Sequence, residues 1–496
     1  TARSHMWSLR VHGWGGLACA CSALLGALLA DATAVWRTCR RLRRHWARGA
    51  GALKAQVLVQ RRRDFCPAQS ISYANTDPLL VVEGRGARLI DEAGRVFLDT
   101  RNNVAHVGHA NLAVAKAVGE QAMLLNTNTR YLHMNACALA RKLLDTMPAP
   151  LKDGVVFFVN SGSEANDLAL RLARVATGNE RCVVVEHAYH GHTVGALGLS
   201  PYKFEHASFG GRGQPPWVAK CPAPDTYRGA HRGPGAAAAY ARSVEEACNA
   251  GPVAAFFIES GMSVAGVLLP PAGYLAQCYA AVRAAGGVCV ADEVQTGLGR
   301  FGAPYWWGFE QQGVVPDIVT MGKPMGNGMP LAAVVCTRAV SDRFARGPEY
   351  FNTFGGNPVC TAAGLAVLTL LEREGLREHA AAVGLTLRRL LARLAASQDG
   401  ALIGDVRGCG LFLGIDLVLD RESRAPATRQ ASRLCSQLKD VHRILTSIDG
   451  PHDNVLVLKP PLTFSEADAE RLVGALRVEL RAMHGLDLSQ ATHTPT

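Results

Sequence analysis

Short apolar runs of strand length recur through the middle of this chain, and helix-length amphipathic stretches fall between them. The runs are Val155-Val-Phe-Phe-Val, Cys182-Val-Val-Val, Ala254-Ala-Phe-Phe-Ile, Val288-Cys-Val-Ala and Leu331-Ala-Ala-Val-Val, with helical patterns at Glu164 to Val175 and Tyr274 to Ala285. A strand that is apolar throughout, instead of alternating, is covered on both faces. Joined by helices, such strands predict an α/β fold built on a mostly parallel sheet with helices on both sides. After Asn357-Pro358 a long helical stretch leads to Ile403-Gly-Asp-Val-Arg-Gly-Cys-Gly-Leu-Phe-Leu-Gly-Ile-Asp-Leu-Val, which reads as strands of a second, smaller lobe. Leu79 to Asp99 reads as a β-meander, β-rich runs broken by Gly turns. A length of 496 residues is enough to bury a large core and to divide into two or three lobes.

The formal net charge of +11 raises the question of a nucleic-acid or membrane partner. Its distribution answers for the body of the chain. Residues 1–63 hold twelve Lys and Arg against one acid, Asp31, so that segment carries the excess and the rest is close to neutral. No basic patch with interleaved aromatics points to nucleic acid. Within the basic segment Gly15 to Ala30 is apolar, but sixteen residues is short for a membrane span and Asp31 closes the run. Arg37-Thr-Cys-Arg-Arg-Leu-Arg-Arg follows it, whereas a secretory signal carries its basic residues in front. An Arg- and Ala-rich, acid-poor composition fits an organelle transit peptide, so a mitochondrial or other organelle location is expected. The alternatives are a cytoplasmic protein, or one anchored through this segment with a cytoplasmic basic flank. The 14 cysteines are scattered, without metal-ligand spacing, and read as buried thiols in a reducing compartment.

Two strand ends carry the chemistry. The run Gly287-Val-Cys-Val-Ala-Asp292 ends on a carboxylate, and Lys323, in Met321-Gly322-Lys323-Pro324, follows the next short apolar strand. An acid and an amine at neighbouring strand ends can close on a cofactor ring from two sides. Pyridoxal phosphate needs that pair, a lysine for the Schiff base and an aspartate for the pyridinium nitrogen. Asn160-Ser161-Gly162-Ser163-Glu164-Ala165-Asn166 follows a strand and opens a helix. It reads as an ordinary N-cap or as a place where backbone N–H groups meet a phosphate. Tyr189, in Glu186-His187-Ala188-Tyr189-His190-Gly191-His192, is placed to stack on a ring. The three histidines there lack metal-ligand spacing, so no metal is expected. Phe351-Asn352-Thr353-Phe354-Gly355-Gly356-Asn357 is a Gly-rich loop carrying a hydroxyl.

Together these stretches resemble the class III aminotransferase family of pyridoxal phosphate enzymes, over about Ser70 to Leu480. The resemblance implies the type I, aspartate-aminotransferase-like fold: a large domain with a mostly parallel seven-stranded sheet, and a smaller α+β domain. The expected boundaries are a basic extension over 1–63, the N-terminal part of the small domain over 64–114, the large cofactor-binding domain over 115–360, the rest of the small domain over 361–485, and a tail over 486–496. By the same resemblance Lys323 holds pyridoxal 5'-phosphate and moves the proton, and Asp292 pairs with the ring nitrogen. Gln295 meets the ring hydroxyl, Tyr189 stacks, Gly162 and Ser163 hold the phosphate, and Glu259 lies in the cofactor site. Thr353 resembles the family's phosphate contact donated across a dimer interface, which implies a homodimer with shared active sites.

Within the family, the chain is most similar to ethanolamine-phosphate phospho-lyases and relatives acting on 5-phosphohydroxylysine. Asn102-Asn-Val-Ala-His-Val-Gly-His109, Leu125-Asn-Thr-Asn-Thr-Arg-Tyr-Leu-His133, Ser200-Pro-Tyr-Lys-Phe204, Pro224-Asp-Thr-Tyr-Arg-Gly229 and Asp449-Gly-Pro451 carry that likeness. Glu259 is followed by Ser260, where many family transaminases have Pro. Arg130, Lys203 and Arg228 are candidate cations for a phosphorylated substrate. Arg407 matches the arginine that binds a substrate carboxylate in the family's transaminases, and does not discriminate between reactions. One departure is Ala110-Asn111-Leu112, where the subgroup usually has Cys-His-Pro after Gly-His. The expected activity is elimination of phosphate from a phosphorylated amine to give aldehyde, ammonia and phosphate. The alternative is transfer of an amino group between an amine or amino acid and a keto acid. A non-catalytic scaffold would not need both Lys323 and Asp292.

Overall fold

A computed structural model of the chain describes residues 50–65, 77–206, 213–484 and 486. The apolar run Gly15–Ala30, the basic run after it, the Ser70 start of the family likeness and most of the 486–496 tail lie outside the described residues. The chain divides into two compact units, one comprising Thr1–Ser70, Leu80–Val82 and Ile90–Arg95, the other Ile71–Leu79, Glu83–Leu89 and Val96–Thr496. The lobes expected at 115–360 and 361–485 both fall in the second of these. In the first, Ala50–Asp64 is a helix that ends on Arg61, Arg62 and Arg63, the terminus at which cations are favoured. The meander read at Leu79–Asp99 is three short strands, Val81–Arg85, Arg88–Asp91 and Val96–Asp99.

The second unit is organised by a seven-stranded sheet in the order Val155–Val159, Ala332–Cys336, Ile318–Met321, Val288–Asp292, Ala255–Glu259, Cys182–Val185, Val218–Cys221. The last five run parallel, and Ala332–Cys336 runs antiparallel to both its neighbours. The central strands are apolar throughout because both faces are covered. Helix Gly162–Thr177 packs Leu168, Ala169 and Leu172 against Val159, Ile318 and Val334 on one face. On the other, Phe256, Val183 and Cys289 meet helices Ala236–Asn249 and Tyr274–Ala284. The strand Val218–Cys221 escaped the sequence reading. It lies at the sheet edge with Ala219 and Lys220 only half-buried, so its apolar signal is weak.

C-terminal to residue 400 a separate antiparallel sheet forms in the order Ile403–Cys409, Phe412–Leu417, Val455–Leu458, Ser447–Asp449. Helices Leu376–Ala396, Thr428–Asp440 and Glu466–Ala482 accompany it. Helix Glu466–Ala482 begins with a capping box, Ser465 and Asp468 each bonding the other's backbone N–H. Among the described residues no helix is long and apolar enough to cross a membrane, and no group of His, Cys, Asp and Glu is placed to hold a metal ion.

Candidate active site

Loops following the carboxyl ends of parallel strands gather at one edge of the sheet, where ligand clefts form. Here the ends of Ala255–Glu259, Val288–Asp292 and Ile318–Met321 open on a cleft of about 370 Å³. Tyr189, Glu259, Asp292, Gln295 and Lys323 line it, with the helix start at Gly162 and Ser163. Eight of the twelve side chains singled out from the sequence are expected at the cofactor, and seven of those eight meet here. The eighth, Thr353, is exposed.

Asp292 is 4% exposed, and its carboxylate is fixed from behind the cleft. Oδ2 accepts from Asn166 Nδ2 at 2.7 Å and from His190 Nδ1 at 2.8 Å, and Oδ1 accepts the Val294 N–H at 3.0 Å. Asn166 is fixed in turn: its Oδ1 accepts from Thr320 Oγ1 at 2.8 Å. The other ring nitrogen, His190 Nε2, is buried, and among the described residues it has no hydrogen-bond partner. Glu259 lies directly opposite Asp292 on the paired strand. Burial, and then repulsion from Asp292, raises its carboxyl to about 7, even though it accepts the Tyr189 and Ser263 N–H groups. Burial lowers the Lys323 amine below its ordinary value, while Asp292 and Glu259 oppose that shift.

The helix Gly162–Thr177 starts at the cleft. Ser161 is its N-cap, accepting the Glu164 N–H on Oγ at 3.2 Å, and Glu164 reaches back to the Asn160 N–H at 3.1 Å. The Gly162 and Ser163 N–H groups have no carbonyl one turn earlier to bond, so the helix offers them, with its positive end, to an anion. Glycine is required at two positions by close approach. A Cβ on Gly162 would stand 2.9 Å from Val294, and one on Gly322 would stand 3.2 Å from the Gly162 nitrogen. The residue before Lys323 therefore packs backbone to backbone on the helix start, and the Val294 side chain of the Asp292 loop lies against Gly162. Tyr189 packs edge-on against His192 and Tyr202, with centroids 5.6 and 6.1 Å away. Burial, then Asp292 and Glu259, push its phenol up to about 12.

The candidate substrate cations fall in different places. Lys203 Nζ stands 4.6 Å from the Tyr202 ring centre and 5.9 Å from that of Tyr189, a residue of the cleft. Arg130 is exposed, paired with Glu349 at 3.3 Å and stacked over Phe351. None of the four is among the residues that line the cleft, and Asp416 holds both Arg228 and Arg407. Arg228 bonds Asp416 through Nε and Nη2 at 3.0 and 2.5 Å and the Arg424 carbonyl through Nη1. Arg407 bonds Gly266 O, Asp405 and Asp416, so all three of its nitrogens are engaged.

Four residues around the cleft carry no role in the sequence reading. Asn166 and His190 sit inside quoted stretches, but their convergence on Asp292 depends on how a helix and a loop face a third strand. Asn103 and Lys459 both bond the Gln295 Oε1, at 2.7 and 3.0 Å, from segments far apart in sequence. A lysine before Pro460-Pro461 has no local signature of burial, yet Lys459 is 9% exposed.

Known proteins resemble this chain in sequence and fold. The sequence model of the family described as aminotransferase class III matches residues 71–480. An alanine–glyoxylate aminotransferase 2-like protein of Drosophila melanogaster is 46% identical over 450 residues, covering 88% of this chain and 90% of that protein. Ethanolamine-phosphate phospho-lyase homolog 1 of Caenorhabditis elegans is 40% identical over 446 residues, covering 86% and 94%. Among solved structures, a phospholyase from Arthrobacter in complex with phosphoethanolamine superposes with a TM-score of 0.80 at 39% identity, covering 87% of this chain and all of that one. The chain belongs to the class III aminotransferase family, whose lyase and transaminase members make it an enzyme of one kind or the other.

Proposed function

We propose that the protein is a pyridoxal-phosphate-dependent phospho-lyase acting on a phosphorylated amine of the ethanolamine phosphate or 5-phosphohydroxylysine type. The cleft fits the cofactor on its donor set. A fixed carboxylate and a desolvated amine face one space, beside a helix N-terminus with free N–H groups. In this reading Lys323 carries the cofactor, Asp292 pairs with its ring nitrogen, Gln295 meets its hydroxyl and Tyr189 covers its face. Gly162 and Ser163 receive its phosphate, and Glu259 stands beside Asp292. When bound, pyridoxal phosphate supplies the sink for electrons released at the substrate carbon bearing nitrogen. The Lys323 amine takes the proton from that carbon. Phosphate departs from the neighbouring carbon with the bonding pair, and water converts the remaining enamine to aldehyde and ammonia.

The observation that carries the lyase reading is the state of Arg407. A transaminase acting on amino and keto acids needs a cation for their carboxylates, and this arginine is held by Asp405 and Asp416. Ethanolamine phosphate has no carboxylate, so the same observation favours it over 5-phosphohydroxylysine, an amino acid, and Lys203, beside Tyr189 and Tyr202, is suited to its phosphate. The reading also takes the chain as a homodimer. Leu112, Met123, Leu124, Leu132 and Met134 stand more than four-fifths exposed, an apolar surface that a second copy would cover. Incubation with ethanolamine phosphate tests the reaction: phosphate and ammonia should appear in equal amounts without a keto acid. Release that depends on added keto acid would replace the lyase with a transaminase, the reading that the Drosophila relative's name favours.

A further inference from the structure

We propose that Lys459 is a positioning residue: together with Asn103 it occupies the side-chain oxygen of Gln295 and turns the Gln295 amide nitrogen, a donor, into the cleft. The inference rests on the reading above, in which Gln295 meets the cofactor hydroxyl. Gln295 Oε1 accepts from Asn103 Nδ2 at 2.7 Å and from Lys459 Nζ at 3.0 Å. A carbonyl oxygen has two lone pairs, and both are used. An ammonium has no acceptor, so the amide cannot turn its nitrogen toward Lys459 without losing the bond. What Gln295 can offer the cleft is therefore its NH₂.

The frame behind this contact is tied down. Lys459 Nζ also donates to Ser263 Oγ at 2.8 Å, and its backbone N–H to Thr100 O at 2.7 Å. The fully buried Arg300 donates to the Pro460 carbonyl and, at 3.1 Å, to His106 Nδ1. His106 Nε2 donates to Leu298 O at 2.7 Å. One arginine thus joins the residue after Lys459, the loop that carries Gln295 and the segment that carries Asn103. The charges around Lys459 are Asp449 and Glu259, which favour its ammonium, and Lys323 and Arg101, which oppose it; burial is the largest influence and brings it to about 8. Near neutral pH a cation therefore stands behind the donor aimed at the hydroxyl oxygen. A positive charge there disfavours protonation of the nitrogen that joins Lys323 to the cofactor.

The test reads the pH midpoint of the visible absorbance change in the pyridoxal-phosphate-loaded protein, which a merely structural role would not move. Lys459→Met removes the charge and frees the amide to turn its oxygen inward, so the midpoint is expected to rise by about 1 unit. Lys459→Arg keeps charge and donors and should titrate with the parent. In a Gln295→Leu background, Lys459→Met should add little. Asn103→Leu removes the other donor without touching a buried charge, and should move the midpoint in the same direction by less. A Met variant that titrates with the parent overturns the inference, and so does a full shift that persists in Gln295→Leu. If Lys459→Met does not load with cofactor, an unmoved Asn103→Leu midpoint overturns it. A parent protein that develops no visible band with pyridoxal phosphate would instead overturn the proposed function.

Discussion

Asp416→Asn is the substitution that most directly probes how the two arginines outside the cleft are held. The carboxylate is fully buried and accepts five hydrogen bonds: Arg228 Nη2 and Asn454 Nδ2 on Oδ1 at 2.5 and 2.8 Å, and Arg228 Nε with both Arg407 Nη atoms on Oδ2 at 3.0 to 3.2 Å. Asparagine keeps the shape but replaces one acceptor with a donor and removes the charge. Arg407 retains the Asp405 carboxylate, but Arg228 would be left with neutral carbonyl oxygens alone as hydrogen-bond acceptors for its guanidinium. Breaking a buried pair by removing one partner destabilises by roughly 3–5 kcal/mol, because the remaining charge is left uncompensated. Arg228 and Arg407 are 16% and 14% exposed, so solvent relieves part of this and the lower end, about 3 kcal/mol, is expected. Urea unfolding of parent and variant would report it as a lower midpoint at unchanged slope. The exposed Arg141–Asp145 pair is the control, and Asp145→Asn should leave the midpoint where it is. A loss below about 1 kcal/mol at Asp416 would refute the reasoning, since it is the scale of an ordinary surface pair.

Lys323→Ala should abolish both the visible absorbance of bound cofactor and turnover, because the covalent link and the base are lost together; retained turnover with a reducible link at another lysine would reassign the site. Lys203→Gln should slow turnover of ethanolamine phosphate about ten- to a hundredfold while leaving an unphosphorylated amine little affected, measured by phosphate release, since a charge-assisted contact contributes roughly 1.5–3 kcal/mol. The cofactor-free protein should lose stability as pH rises. Glu259 has a folded pKa of about 7, above its ordinary 4.5, so the folded state binds the extra proton in that window; the contribution is present below about 4.5 and lost through 7. Urea midpoints from pH 5 to 8 should fall less in Glu259→Gln than in the parent, and parallel curves would count against a buried neutral carboxyl.

The sheet and most of the residues that line the cleft were legible in the sequence for one physical reason. Parallel strands covered on both faces have to be continuously apolar, so a carboxylate at the end of Val288–Asp292 or an amine after Ile318–Met321 stands out against its background. Polar side chains that act through other polar side chains give no such contrast. Lys459 and Asn103 meet Gln295 across separations of 164 and 192 residues, and nothing near either records the partner. Arg228 and Arg407 were read as candidate substrate cations. Whether a guanidinium is free for a ligand depends on Asp416, which strand pairing brings opposite Asp405, two residues from Arg407. Asn166 shows the intermediate case, visible as part of a helix start but opaque in its service to Asp292.

The reversed strand Ala332–Cys336 has a consequence for how the chain is made. Val155–Val159 is translated well before Ala332–Cys336, yet among the described residues that is the one strand it pairs with in the sheet. At typical elongation rates of 5–20 residues per second the first strand waits roughly 10–35 s for its neighbour to be translated. During that interval Val156, Phe157 and Phe158 have no strand beside them, and the edge of Ile318–Met321 stays open until the same late segment arrives. Completion of the sheet is thus a late event on the ribosome. Chains released before residue 336 would carry two unsatisfied strand edges, a form suited to holding by chaperones or to aggregation.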